Sequence, residues 1–173
     1  MHSVKTDRLL KGSIGLLLVV LVFSIYGSLR EKVVGVGDSA PDFSITADNG
    51  RTITPSSFGG KLLVLNFWAT WCPPCVEEVP SLNRFHDALA NSGVVVLGIS
   101  VDKDDKAYRS FLSKASVSFL TARDPAAQIN ADFGTFKYPE TYVIDSKGKV
   151  VRKFIGPENW DDQRMLSDIR SLL

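Results

Sequence analysis

Two cysteines separated only by two prolines, Cys72-Pro73-Pro74-Cys75, stand where a strand-length apolar run gives way to a helical pattern. No other feature restricts the fold as much. The run before them, Leu62-Leu63-Val64-Leu65-Asn66-Phe67-Trp68, is nearly continuous rather than alternating, which fits a strand covered on both faces. After them, Val76, Val79, Leu82, Phe85 and Leu89 recur at helical spacing over residues 73–90. Pro73 and Pro74 are tolerated in a first turn, where amide hydrogens have no helical partner anyway. Pro80 lies inside the helix and is expected to kink it.

The pattern repeats downstream. Residues 94–101 form a second buried strand, and a helix starting at Asp104-Asp105 puts Tyr108, Phe111, Leu112 and Ala115 on one face. Asp124-Pro125 and Gly134 bracket a short third helix, as cap, first position and stop. Residues 141–144 and 150–155 flank Asp145-Ser146-Lys147-Gly148, a hairpin signal. A last helix runs from about Asp161, with Met165, Ile169 and Leu172 facing inward. The order β-α-β-α-(β)-α-β-β-α implies an α/β fold: a mixed central sheet, part parallel and part hairpin, flanked by helices. The 173 residues, 45% hydrophobic and 23% charged, suit one globular domain. A net charge of +1 gives no bulk field for nucleic acid.

The charge is uneven. Residues 1–30 carry four bases, Lys5, Arg8, Lys11 and Arg30, against Asp7 alone. Residues 12–29 carry no charge, and 14–23 are almost solidly aliphatic. A spanning helix needs about 20 apolar residues. The basic flank keeps the N-terminus in the cytoplasm. A cleaved signal peptide is the rival, but Ser24-Ile25-Tyr26-Gly27-Ser28 is a poor cleavage site. The expected organisation is a cytoplasmic stub and membrane anchor (or signal peptide) over 1–32, a tether over 33–40 and a folded domain over 41–173. Either export reading puts the domain outside the cytoplasm.

Thiol–disulfide chemistry fits the cysteines best. Cys72 falls at a helix N-terminus, where free amide hydrogens and the macrodipole favour a thiolate. Cys75, one turn later on the same face, can resolve the mixed disulfide formed by an attacking Cys72. A c-type haem site needs His where Val76 stands. A zinc site needs two more ligands, and the candidates are His2 and His86, the latter about 16 Å along the helix from Cys75. A structural disulfide closing so short a loop would remove little chain entropy. No metal and no cofactor beyond the dithiol is therefore expected.

The chain resembles the membrane-anchored TlpA/ResA-like group of thioredoxin-fold proteins, which includes the CcmG/DsbE proteins of cytochrome c maturation. The resemblance covers about residues 36–173. It rests on Gly37-Asp38-Ser39-Ala40-Pro41-Asp42-Phe43, Gly60-Lys61, Asn66-Phe67-Trp68-Ala69-Thr70-Trp71-Cys72-Pro73-Pro74-Cys75, Pro80, and Tyr138-Pro139-Glu140-Thr141-Tyr142-Val143-Ile144-Asp145. It implies a thioredoxin-like fold, Cys72 as attacking and Cys75 as resolving cysteine, and a cis Pro139 that helps dock substrate beside Trp71, Pro73 and Pro74. It further implies that Glu78 handles the proton that a buried aspartate handles in cytoplasmic thioredoxins, where this chain has Asn66. Helix spacing agrees: i, i+3 brings Glu78 under Cys75 and i+2 carries Glu77 away. Glu140 resembles the acidic-groove residue of the cytochrome-maturation members. Tyr138 is bulkier than the residue usual before the cis-proline, so it is expected to narrow the groove.

The implied activity is that of an extracytoplasmic reductant of protein disulfides, in apocytochrome c or an assembly factor, re-reduced by a membrane electron carrier of the DsbD/CcdA type. Three rivals compete with it: an oxidase, a peroxidase and a non-catalytic scaffold domain, the last of which would keep its activity without the two cysteines. A disulfide-forming oxidase would profit from a donor between the cysteines, and Pro73 and Pro74 have no amide hydrogen. A peroxiredoxin-type peroxidase places Thr three residues before its reactive Cys, whereas Ala69 precedes Cys72 at that spacing.

Overall fold

The computed structural model describes residues 14–24 and 33–173, which form two separate units. In the first, residues 14–24 are a helix, α1, with its aliphatic side chains exposed. At 1.5 Å per residue the described part spans about 16 Å, against about 30 Å for the hydrocarbon core of a bilayer. No helix among the described residues is long and apolar enough to cross a membrane. The remainder of the expected span, 12–13 and 25–29, lies outside the described residues.

The second unit is built on a five-stranded sheet of order β5-β4-β3-β6-β7. The strands are β3 (Leu62–Trp68), β4 (Val94–Ser100), β5 (Leu120–Arg123), β6 (Glu140–Ile144) and β7 (Val150–Ile155). The first three are mutually parallel, while β6 runs antiparallel to both β3 and β7. This is the mixed sheet that the element order implied. A two-stranded hairpin, β1 (Ile45–Thr46) with β2 (Thr52–Ile53), and a 3-10 turn at Pro55–Phe58 precede it, neither of which the apolar pattern had signalled.

Every residue of β3 is buried, because alternate side chains serve opposite cores. Leu63, Leu65 and Phe67 pack with Phe43, Ile53, Ile129, Phe133 and Tyr142. Leu62 and Val64 pack with Leu82, Phe85, Leu89, Trp160, Leu166 and Ile169. That second core is the contact face of α2 (Pro73–Leu89) and α5 (Gln163–Arg170). Each such side chain contributes about 1.5–3 kcal/mol on burial. On α5, Leu166 and Ile169 are the buried pair and Met165 is only partly covered, as is Leu172 in the turn after the helix.

The helix α3 (Asp105–Lys114) begins as its sequence suggests, with the Asp104 carboxylate accepting the Lys106 and Ala107 amide hydrogens. The short α4 (Gln128–Asp132) does not. Asp124 and Pro125 were expected as cap and first position, yet the chain turns through Ala127 at φ 52° and the helix starts after it. Asp124 instead accepts the Ile129 amide hydrogen at 2.8 Å.

The stretch 33–40, read from the sequence as a tether, is bonded to the domain. Val34 is buried and its amide donates to the Phe133 carbonyl. The Gly37 and Ala40 amides donate to the Val150 and Gly148 carbonyls.

Candidate active site

β3 ends at Trp68, and the chain reaches α2 through Ala69-Thr70-Trp71-Cys72. Gly98, opposite Asn66 on β4, makes room here, since a Cβ would lie 2.9 Å from the Phe119 ring and 3.0 Å from the Trp68 indole nitrogen. Cys72 is the N-cap of α2, with Pro73 and Pro74 in the first turn, and Cys72 and Cys75 form a disulfide with Cα atoms 5.3 Å apart. The Cys75 amide hydrogen donates to Cys72 Sγ at 3.3 Å. The two prolines remove the other amide hydrogens of that turn, so one amide remains where thiolate charge on Cys72 would develop. Cys72 is 6% exposed and Cys75 1%, so the less buried of the two cysteines is the one expected to attack.

Tyr138 and the two cysteines share one small core with Trp68, Ala69, Val101 and Tyr108. The Tyr138–Pro139 peptide is cis. Trp71 is 62% exposed, and its ring meets that of Tyr138 edge-on at 5.8 Å. Trp71, Pro73 and Pro74 flank or separate the two cysteines in sequence, Tyr138 packs against them and takes up space beside Trp71, and Pro139 follows Tyr138 through the cis bond.

Glu78 is inward-facing and only 4% exposed, whereas Glu77 is exposed. Its Oε1 accepts from Asn66 Nδ2 at 2.8 Å, and its Oε2 accepts from the Glu158 amide at 3.1 Å and the Trp160 indole at 3.3 Å. Asn66 also donates to Thr141 Oγ1 on β6. Burial pushes the Glu78 carboxyl from 4.5 up to about 7 against these three donors, with the Glu158 carboxylate adding a smaller push upward. A surface cleft lined in part by Glu78, Pro80, Ser81, Pro157 and Glu158 gives it a route to water. A buried acid that titrates near neutrality, one turn from a cysteine, can take and release a thiol proton.

Glu140 does not join this group. Expected as a groove residue, it is 1% exposed and on the other face of the sheet, with Tyr142. Its Oε1 accepts from the Tyr142 hydroxyl at 2.6 Å and the Lys153 ammonium at 2.8 Å. Lys153 also donates to the Val34 carbonyl at 2.9 Å. Sequence reasoning missed the Trp160 and Glu158 donors to Glu78. It also missed Lys153, which the hairpin register could have supplied, because Lys153 stands opposite Tyr142.

A model of the redoxin family matches residues 35–173. The chain belongs to that family. The thiol-disulfide oxidoreductase ResA of Bacillus cereus is 31% identical over 150 residues, covering 87% of this chain and 84% of the relative. The thioredoxin-like protein YneN of Bacillus subtilis is 35% identical over 150 residues, covering 82% and 88%. A Chlorobium tepidum structure described as a thiol:disulfide interchange protein DsbE superposes with a TM-score of 0.74 at 28% identity, covering 80% of this chain and 98% of that one. This redoxin is thus a thioredoxin-fold thiol-disulfide oxidoreductase of the TlpA/ResA-like kind.

Proposed function

We propose that this oxidoreductase works as a reductant, held at the cytoplasmic membrane by its N-terminal segment with the thioredoxin-like domain on the extracytoplasmic side. The observation that carries the reducing direction is the single amide donor at Cys72 Sγ, left by Pro73 and Pro74. No Lys, Arg or His occurs between residues 66 and 79 to add positive charge, and a buried acid stands one turn away. A poorly stabilised thiolate makes the dithiol the better electron donor.

The reaction is a disulfide exchange. The Cys72 thiolate attacks a substrate disulfide and one substrate sulfur leaves as a thiolate. Cys75 gives its proton to Glu78 and attacks Cys72 Sγ, which forms the Cys72–Cys75 disulfide and frees the second substrate sulfur. Two electrons pass to the substrate, and the protons are taken from Glu78 and water. Exported space is oxidising, so the pair must be re-reduced. A membrane carrier of the DsbD/CcdA type suits that task, and a disulfide in apocytochrome c or in an assembly factor suits the substrate. The uncharged run over 12–29 with its basic flank supports the anchor.

Equilibration of the protein with glutathione tests the direction. The potential is expected nearer about −270 mV than about −120 mV; a pair more than half reduced in an ER-like buffer overturns the reading. Cys75→Ser should accumulate a mixed disulfide through Cys72 and Cys72→Ser should not. Mass spectrometry of the trapped species then names the substrate. Extraction of the full chain from membranes by carbonate would remove the anchor from the proposal.

A further inference from the structure

We propose that Asp102 is a positioning residue for the attacking cysteine: its buried carboxylate ties down the 69–72 turn and so keeps the Cys72 sulfur on the Cys75 amide hydrogen. Asp102 stands two residues beyond the end of β4 and is 2% exposed. Its Oδ1 accepts the Thr70 hydroxyl hydrogen at 2.7 Å. Its Oδ2 accepts the Thr70 amide hydrogen at 2.9 Å and the Ser100 hydroxyl hydrogen at 2.6 Å. Ser100 Oγ in turn accepts the Asp102 amide hydrogen at 3.0 Å. The guanidinium of Arg123 reaches the Asp102 and Lys103 carbonyls and pairs with Asp105. The carboxylate is thus held by neutral donors, two of them on Thr70.

Thr70 needs such a partner because its amide has left the sheet. Around it, the Val101 amide donates to the Trp68 carbonyl at 3.0 Å and the Cys72 amide to the Ala69 carbonyl at 3.2 Å, which closes the turn. Hydrogen bonds to an ionised acceptor are the strong ones, and two of them on one residue fix both its backbone and its side chain. Two positions later comes the sulfur, whose alignment with one amide is all the hydrogen-bond help its thiolate receives from the first turn. A turn free to drift would lose that alignment while the sheet and α2 stayed intact.

The test uses the full-length chain carrying Cys75→Ser, so that Cys72 is its one thiol and the residue-75 amide remains. The rate of Cys72 alkylation by iodoacetamide (thiolate attacks carbon, iodide leaves) is titrated against pH in Asp102→Asn and Asp102→Ala. Both variants lack the carboxylate charge, so the difference between them reports the tie alone. Asn can accept the Thr70 amide and Ser100 hydroxyl hydrogens and donate to Thr70 Oγ1, whereas Ala can do neither. The half-point of the Ala variant is expected about one pH unit above that of Asn, a tenfold loss of thiolate at a given pH. Coincident half-points overturn the proposal, whether or not the melting midpoints differ. If the Ala variant does not fold, Thr70→Val decides, since it keeps the carboxylate and removes one of its two bonds from Thr70. An upward displacement of about half a unit is then expected, and an unchanged half-point overturns the proposal.

Discussion

Glu78 and Glu140 are both buried beside the segments that frame the disulfide, yet the sheet separates them and gives them different company. Glu78, on the α2 face, is held by an amide side chain, a backbone amide and an indole, all neutral, and its carboxyl is raised to about 7. Glu140, on the opposite face, is held by an ammonium and a phenol. Burial is common to both, so burial does not assign the role. Neutral donors soften the desolvation of Glu78 without abolishing it, which leaves a proton that can come and go. A cation at bonding distance makes Glu140 one half of a structural ion pair.

Removing the cation should give the largest effect. Lys153→Met leaves a carboxylate buried without its counter-charge and should destabilise the domain by about 3–5 kcal/mol in urea unfolding. Adding Glu140→Gln should restore much of that loss. A Lys153→Met protein as stable as wild type would mean that Glu140 does not depend on its partner.

The second effect is one of pH. The folded protein holds the Glu78 proton up to about pH 7, and the unfolded chain releases it near 4.5. Between those values the folded state binds more protons, so the stability contributed by that proton, full below about 4.5, is lost as pH rises through 7. The change amounts to about 3 kcal/mol. Glu78→Gln cannot titrate, and its stability relative to wild type should therefore rise from pH 4 to pH 8 by about that amount. A constant difference across the range would place the Glu78 titration elsewhere.

The smallest effect is on the redox couple. With the Glu78 charge removed, thiolate at the neighbouring cysteine is less disfavoured. Glu78→Gln should then make the potential less negative by tens of millivolts at pH 8, where about 30 mV corresponds to about 1.4 kcal/mol. Glu77→Gln, altering an exposed acid, should leave it in place. An equal displacement by both variants would erase the distinction that the helix spacing draws.

What the sequence showed and what it hid divide along the range of the interactions. Buried strands, helices and the CxxC at their junction are local patterns, and β3, α2 and the turn at 145–148 sit where the periodicities place them. The i, i+3 relation was enough to aim Glu78 inward. Its three donors were out of reach of such reasoning, because Trp160 and Glu158 lie some eighty residues away and meet it only once α5 has docked. Asn66 was legible as a missing aspartate but not as a donor. Glu140 was misplaced for a related reason: strand alternation assigns it to one of two faces, and only the register with β7 shows that Lys153 is on the same one. The start of α4 was misread because a non-glycine residue, Ala127, takes the left-handed conformation that ends the preceding turn.

The stretch 33–40 has an effect beyond that of joining two parts of a chain. β7 is the last strand of the sheet, and an uncovered last strand offers its main-chain groups to any other strand that arrives. Here the Gly37 and Ala40 amides take up the Val150 and Gly148 carbonyls, and the Val150 amide is spoken for by Asp38. The opening residues of the domain thus act as a guard rail along the start of that edge. There they deny a second copy part of the template it would need for strand pairing.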